Sequence, residues 1–379
     1  MEFIINKESL LEVLSKVEKL VKTKTSNPIL QGFYLEVKSD KIIVIGSDLN
    51  TTIRYELPVL FEDESILINK EGKVVVPYQL YEIAKKVKTE LSISLDDTQL
   101  VIKHGKKKKS EFKLSVFKAE EYPKLPKFDG IEPTLSIKGT EFNSFIKKTG
   151  YAASSSDARP VLQGICFEIT EDKLRLVCTD SHRLGVIDVT ESHKESRKII
   201  IPAKSILESL KSFDLSEKVT VFCENDRMLI LQNNNLTFYC RLLEGTYPDV
   251  SRLIPKEHLA EMKISRKEFL EGFEMINGLT NAADNETKGI VKLHVNGVAT
   301  LSTYQAQAGS GKIEIDYESL EGEDNFDIAF NNNYIIDTLK AMESEYVSFK
   351  YQGSMRPFLL TPCDSSHEEI QLILPVRNK

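Results

Sequence analysis

Cysteine is scarce in this 379-residue chain: Cys166, Cys178, Cys223, Cys240 and Cys363, with no pair at CxxC spacing. That spacing argues against thiolate zinc sites and a disulfide framework. The first four lie in apolar, strand-like runs and read as buried free thiols. Long apolar runs are also missing; none approaches the ~20 residues that a bilayer-crossing helix needs. The opening Met-Glu-Phe-Ile-Ile-Asn-Lys lacks a basic segment followed by an apolar one, so the cytoplasm is the expected compartment and no membrane partner is expected. Nor is there an excess of positive charge: the net charge of -7 excludes a protein that coats nucleic acid through a wholly basic surface, while leaving room for a local basic face. What remains is a globular composition, 41% hydrophobic and 28% charged, long enough for two or three domains with their own cores. No metal or cofactor is expected.

One segment invites a catalytic reading. Cys178-Thr-Asp-Ser-His-Arg-Leu-Gly185 sets Asp180, Ser181 and His182, the residue types of a hydrolytic triad, side by side. Triads are defined by geometry, and neighbouring side chains on an extended strand point to opposite faces, so adjacency argues mildly against catalysis.

The chain repeats itself. Residues 27–48 (NPILQGFYLEVKSDKIIVIGSD) match 159–180 (RPVLQGICFEITEDKLRLVCTD) at a constant offset of 132. Pro28, Leu30, Gln31, Gly32 and Asp48, among others, recur as Pro160, Leu162, Gln163, Gly164 and Asp180. Upstream, Ile5 and Leu10 align with Ile137 and Phe142, and a third copy places Ile264 and Phe269 there; downstream, Tyr122-Pro123 matches Tyr247-Pro248 at an offset of 125. Fixed-period similarity signals tandem structural units, here 1–129, 130–255 and 256–379. Each unit opens with a helix, marked in the first by the stripe Leu10, Leu14, Val17 and Val21. Alternating strands such as Phe33–Val37 and Lys41–Ile45 follow, joined by a Ser-Asp turn. A second short helix begins at or just after a proline, at Pro77 and at Pro202. The predicted class is α+β, with two helices on antiparallel sheet in each unit.

Charge divides unevenly over this plan. Lys and Arg minus Asp and Glu gives +2, +1, +2, +1, -1 and -1 over the helical stretches 5–24, 77–90, 137–150, 202–213, 264–278 and 331–343, so the helices carry +4 and the rest of the chain -11. Six helices facing one way would set a positive surface inside a negative shell, as expected of a protein that surrounds DNA. The plainer reading is six ordinary solvated helix faces, and the negative third unit favours it.

A triplicated α+β chain carrying CTDSHRLG at 178–185, LEGTYPD at 243–249, MRPFLL at 355–360 and LPVR at 374–377 resembles the β sliding clamp family of bacterial DNA polymerase III over its whole length. The resemblance implies three tandem DNA-clamp domains per chain and a head-to-tail homodimeric ring, with helices lining the hole around duplex DNA and sheets outside. It implies a noncatalytic processivity factor that holds DNA without sequence preference. Partners would be the DNA polymerase III alpha subunit, the clamp loader, and other polymerases and repair proteins, each docking a short linear motif in a cleft between the second and third domains. By the same resemblance Val161, Leu162, Thr179, His182, Arg183, Leu184, Pro248, Leu253, Leu372, Leu374, Pro375, Val376 and Arg377 form the cleft. Met355 and Arg356 stand near its rim and Ser181 at its mouth, where the family commonly has glycine. Lys22 and Lys24 are the implied DNA-facing residues of the first unit, followed by Lys148, Lys204 and Lys211.

The residues by themselves leave other readings open. His182 could be a structural loop histidine, and Asp180 recurs as Asp48, which points to a shared turn rather than a triad. The first copy has Leu49 and Asn50 where the second has Ser181 and His182, as a local specialisation would. The run Lys106–Lys109 reads as a solvated hairpin tip. Rivals are an α+β hydrolase using Ser181 and His182, and a clamp-like scaffold that does not close on DNA.

Overall fold

The structure is a computed structural model and describes residues 1–21, 25–60, 65–105, 110–125, 130–190, 196–225, 227–280, 289–305 and 309–376. Lys22, Lys24, the run Lys106–Lys109 and Arg377 lie outside the described residues. A helix forms in each of the six stretches expected to be helical: α1 (Lys7–Val21), α2 (Gln79–Lys86), α3 (Gly139–Gly150), α4 (Ala203–Ser209), α5 (Arg266–Thr280) and α6 (Asn332–Ala341). α1 begins where the Asn6 side chain accepts the Ser9 backbone N–H at 2.7 Å, filling one of the donors a helix start leaves open. Its stripe Leu10, Leu14, Val17 and Val21 is buried together with Val13. None of the described helices is long and apolar enough to cross a membrane.

All strand pairings are antiparallel, and the repeats share one pattern. Gly32–Val37 lies between Lys41–Ser47 and Gly72–Pro77. Gly164–Ile169 likewise lies between Lys173–Thr179 and Arg197–Pro202, and Ile290–Asn296 between Val298–Gln305 and Asn325–Asn331. The Ser39-Asp40 turn of the first copy and the Glu171-Asp172 turn of the second close through the same bond, with Lys38 N–H on the Lys41 carbonyl at 2.9 Å and Thr170 N–H on the Lys173 carbonyl at 2.8 Å.

The three repeats pack into two compact units: Met1–Thr140 with Glu208–Leu242, and Glu141–Leu207 with Leu243–Lys379. The cause is edge pairing between repeats. In the first unit Leu236–Arg241 of the second repeat pairs with Thr51–Pro58 of the first, Leu236 opposite Tyr55 and Cys240 opposite Thr51, giving an eight-stranded sheet beside one of five. In the second unit Arg183–Thr190 pairs with Glu368–Ile373 of the third repeat, Leu184 opposite Leu372, giving a nine-stranded sheet beside one of four. Shared ladders leave no open edge at these seams.

Packing is tight where α1 crosses its sheet. A Cβ on Gly46 would fall 2.9 Å from the Val17 carbonyl oxygen and 3.0 Å from a Val21 methyl, so only glycine fits. In the third repeat Phe269, Phe273, Phe330, Phe349 and Phe358 are fully buried. Their rings touch in series, Phe269–Phe273 and Phe349–Phe358 at 4.8 Å and Phe330–Phe358 at 5.0 Å between centroids. All five cysteines are free, the first four buried and Cys363 exposed; burial pushes the Cys166 thiol up to about 12, which keeps it protonated and unreactive.

Candidate functional site

The segment CTDSHRLG is a hairpin turn. Strand Lys173–Thr179 returns as Arg183–Thr190, with Thr179 opposite Leu184 and Cys178 opposite Gly185. One Asp180 carboxylate oxygen accepts the backbone N–H groups of His182 at 2.8 Å and Arg183 at 2.9 Å, and the other accepts Arg183 Nε at 3.0 Å. Asp48 repeats the turn in the first copy, accepting Asn50 N–H at 3.1 Å and Thr51 N–H at 2.7 Å. Ser181 and Leu49 occupy the same left-handed position, φ 76° and 78°. Asp180 is therefore the turn-former its repetition implied. A triad needs that carboxylate to orient the imidazole; here the His182 ring stacks instead on Tyr334, centroids 5.9 Å apart.

Beside the turn opens a groove of about 430 Å³, within the usual range for ligand sites. Of the residues expected in it, Val161, Leu162, Thr179, Ser181, His182, Arg183, Leu184, Pro248, Leu253, Leu372 and Leu374 line it. Arg159, Thr246, Val250 and Pro357 line it too and were not anticipated. Thr246 lies within LEGTYPD, Pro357 within MRPFLL and Val250 just after LEGTYPD, so each belonged to or adjoined a recognised motif without being part of the expectation.

The floor is the buried cluster of Leu162, Leu184, Leu359, Leu372, Tyr247 and their neighbours. The segment LEGTYPD folds over it because Gly245, at φ 129°, crosses Val161 where a Cβ would come within 2.6 Å of a Val161 methyl. That crossing carries Tyr247 inward, where its hydroxyl accepts Thr179 N–H at 3.0 Å and so holds the strand end that forms the turn. Above this rigid floor Leu253 and Leu374 stay 58% and 36% exposed. Apolar side chains left wet on a preformed wall are what a ligand with apolar anchors covers.

The other expected residues stand outside the lining. Met355 and Arg356, expected near the rim, do not line the groove but precede Pro357, which does; Met355 is exposed and the Arg356 N–H bonds to the Gly353 carbonyl at 3.1 Å. Pro375 and Val376 are not among the lining residues: Leu374 N–H continues the ladder to the His182 carbonyl at 2.9 Å, and Val376 N–H then meets the Ala329 carbonyl at 2.8 Å. Lys148 was expected to face DNA, but its side chain is only 13% exposed and pairs with Glu369 at 3.2 Å and Glu343 at 3.3 Å. Two carboxylates already satisfy it. Lys204 and Lys211 are solvent-exposed.

Arg183 carries the most connected charge in the site. Besides Asp180 it donates to Asp337 of α6 at 2.7 Å, and its guanidinium lies over the rings of Tyr334 at 4.8 Å and Tyr151 at 5.3 Å. Burial opposes its charge, but Asp337 and Asp180 outweigh burial and hold its pKa above the ordinary guanidinium value. The Tyr151 hydroxyl, raised by burial, donates to Gln371 at 2.8 Å and accepts from Thr338 at 3.1 Å. A polar chain thus runs from the groove turn through α6 to the end of α3.

Three family models match in order along the chain: the N-terminal domain of the DNA polymerase III beta subunit over residues 1–126, its central domain over 136–249 and its C-terminal domain over 251–377. The beta sliding clamp of Streptococcus pneumoniae is 32% identical over 382 residues, covering 99% of each chain. That of Staphylococcus epidermidis is 33% identical over 387 residues, covering 100% of this chain and 99% of its own. Among solved structures, the DNA polymerase III beta chain of Streptococcus pneumoniae superposes with a TM-score of 0.92 at 30% identity, and the DNA polymerase sliding clamp of Bacillus subtilis with 0.91 at 30%, each covering both chains fully. With all three domain models in sequence and whole-length relatives above 30% identity, the chain belongs to the DNA polymerase III beta subunit family, the bacterial beta sliding clamps.

Proposed function

We propose that this clamp, a noncatalytic processivity factor, works as a head-to-tail homodimeric ring on duplex DNA and recruits its partners through the groove beside the Asp180 turn. The partners are the DNA polymerase III alpha subunit, the clamp loader, and other polymerases and repair proteins, each presenting an extended segment with a glutamine and spaced apolar anchors. The observation that carries this reading is the preformed apolar groove with Leu253 and Leu374 left wet at its wall. Leu184, Pro248 and Val250 give the anchors apolar contact, and backbone groups at the Leu374 crossing give the glutamine hydrogen bonds. Three clamp domains, 1–129, 130–255 and 256–379, make up each protomer. Exposed Lys204 and Lys211 touch phosphates, as do Lys22 and Lys24. The ring operates in the cytoplasm.

The test is primer extension on a long single-stranded circle with the chain, its loader and its polymerase. Product length rises with the clamp and falls back when excess free polymerase-derived peptide fills the groove. Extension that is stimulated equally with and without peptide contradicts the groove as the recruiting site. Light scattering adds a check on the ring: about twice the 43.0 kDa chain mass is expected, and a strict monomer at micromolar concentration rejects it.

A further inference from the structure

We infer that Asp337 of α6, which does not line the groove, is a positioning residue for peptide recognition: it fixes the orientation of Arg183 and balances its charge, so that third-repeat helix α6 sets the groove's affinity and its preference against acidic segments. The inference rests on the groove being the peptide site.

The first repeat provides an internal control. Its turn closes through Asp48 with the same two backbone acceptances and the same left-handed residue, yet has Thr51 where the second copy has Arg183. The turn therefore needs no arginine. What Arg183 adds is a cation in the groove wall, and only 11% of its side chain is exposed. A buried guanidinium is tolerated where carboxylates and further donors' partners surround it. Asp180 supplies one carboxylate from the turn, at 3.0 Å, and Asp337 the second from α6, at 2.7 Å. The rings of Tyr151 and Tyr334 add cation–π contact at 5.3 and 4.8 Å. With both carboxylates present the wall is charge-compensated and the side chain pinned. Without Asp337, the guanidinium keeps one partner, gains freedom to enter the groove, and presents uncompensated positive charge to whatever lies there.

Asp337 is reachable for this purpose. Half of its side chain is exposed, on a second hollow of about 420 Å³ that it lines with Lys147, Tyr151, Leu207, Lys340 and Ala341. Lys340 is paired with Glu274 at 2.7 Å, and Asp337 accepts from Arg183 at 2.7 Å. Arg183 lines the groove and its partners Asp337 and Tyr151 line the second hollow, so the Arg183–Asp337 bond links a residue of one to a residue of the other.

The experiment uses the full-length dimer, Asp337→Asn and Asp337→Glu variants, Arg183→Ala, and the double variant Arg183→Ala/Asp337→Asn. Two labelled peptides are titrated, both with a glutamine and the same apolar anchors, one neutral and one flanked by aspartates. Asp337→Asn should weaken the neutral peptide by about threefold to tenfold and the acidic one less or not at all, so that the ratio of affinities shifts toward the acidic peptide. Asp337→Glu should restore the wild-type ratio. In the double variant Asp337→Asn should add nothing to Arg183→Ala. A purely structural seam contact would lower both affinities equally and additively; that result, or no change in either peptide, overturns the inference. Failure of the wild-type dimer to bind the neutral peptide would instead overturn the groove assignment itself.

Discussion

Leu253→Ala separates groove chemistry from folding more cleanly than any other wall substitution. Leu253 lines the groove yet is 58% exposed, so the free protein loses little when it is truncated. Fully burying a leucine side chain is worth roughly 1.5–3 kcal/mol, and the exposed fraction is what a bound peptide covers. The expected loss is therefore about 0.9–1.7 kcal/mol of binding, or roughly fourfold to seventeenfold in Kd at ~1.4 kcal/mol per decade. Leu184→Ala is a poor substitute, because Leu184 is 2% exposed within the floor cluster and its truncation also costs the fold about 2–5 kcal/mol. The assay is fluorescence anisotropy with a polymerase-derived peptide, alongside thermal unfolding of each variant. Unchanged affinity in Leu253→Ala, with the peptide still bound tightly, refutes the reasoning that this wall is covered by the anchors.

Further outcomes follow from other parts of the molecule. Gly46→Ala forces a methyl against the Val17 carbonyl and should destabilise by about 1–3 kcal/mol in urea unfolding; no change would show that α1 can lift off its sheet freely. Ser181→Gly removes a side chain held at φ 76°, and should raise stability by up to ~1 kcal/mol while leaving peptide affinity within twofold; a loss of binding would make the hydroxyl a contact. Glu56 is penalised by burial, but its bonds to Lys41 and Arg54 win and hold its pKa below 4.5. A depressed folded pKa gives stability that is complete above about pH 4.5 and lost as pH falls through the folded value, so Glu56→Gln should flatten the acid limb of a stability profile and leave the alkaline limb alone.

The parts of the fold legible in the sequence were those written in side-chain periodicity. The α1 stripe and the alternation of Phe33, Leu35 and Val37 follow from which faces must be buried, and the offset of 132 carried that knowledge to the second copy. The seams were not legible. Pairing of Leu236–Arg241 with Thr51–Pro58, and of Arg183–Thr190 with Glu368–Ile373, is made by backbone groups that every residue carries. Most of the groove followed from motif resemblance, whereas Arg159 and Val250 required knowing how LEGTYPD folds across Val161. Pro375 and Val376 were expected in the wall and are not among its lining residues; a short tail can either line a wall or be strapped to a strand, and a bond from Val376 N–H to the Ala329 carbonyl straps this one. Lys148 shows the limit of counting charge along helices: a net of +2 over 137–150 does not reveal that Glu343 and Glu369 claim one of the lysines.

The central claim is topological holding, and the direct measurement is retention on DNA before and after the circle is cut. The chain is loaded onto nicked circular duplex with its loader, separated from free protein by gel filtration in moderate salt, and divided in two, with one half linearised by a single-cutting nuclease. A ring with few phosphate contacts and a net charge of -7 should stay on the circle at salt that abolishes ordinary binding and run off the linear form. Equal retention on both forms, or equal loss from both as salt rises, contradicts encirclement.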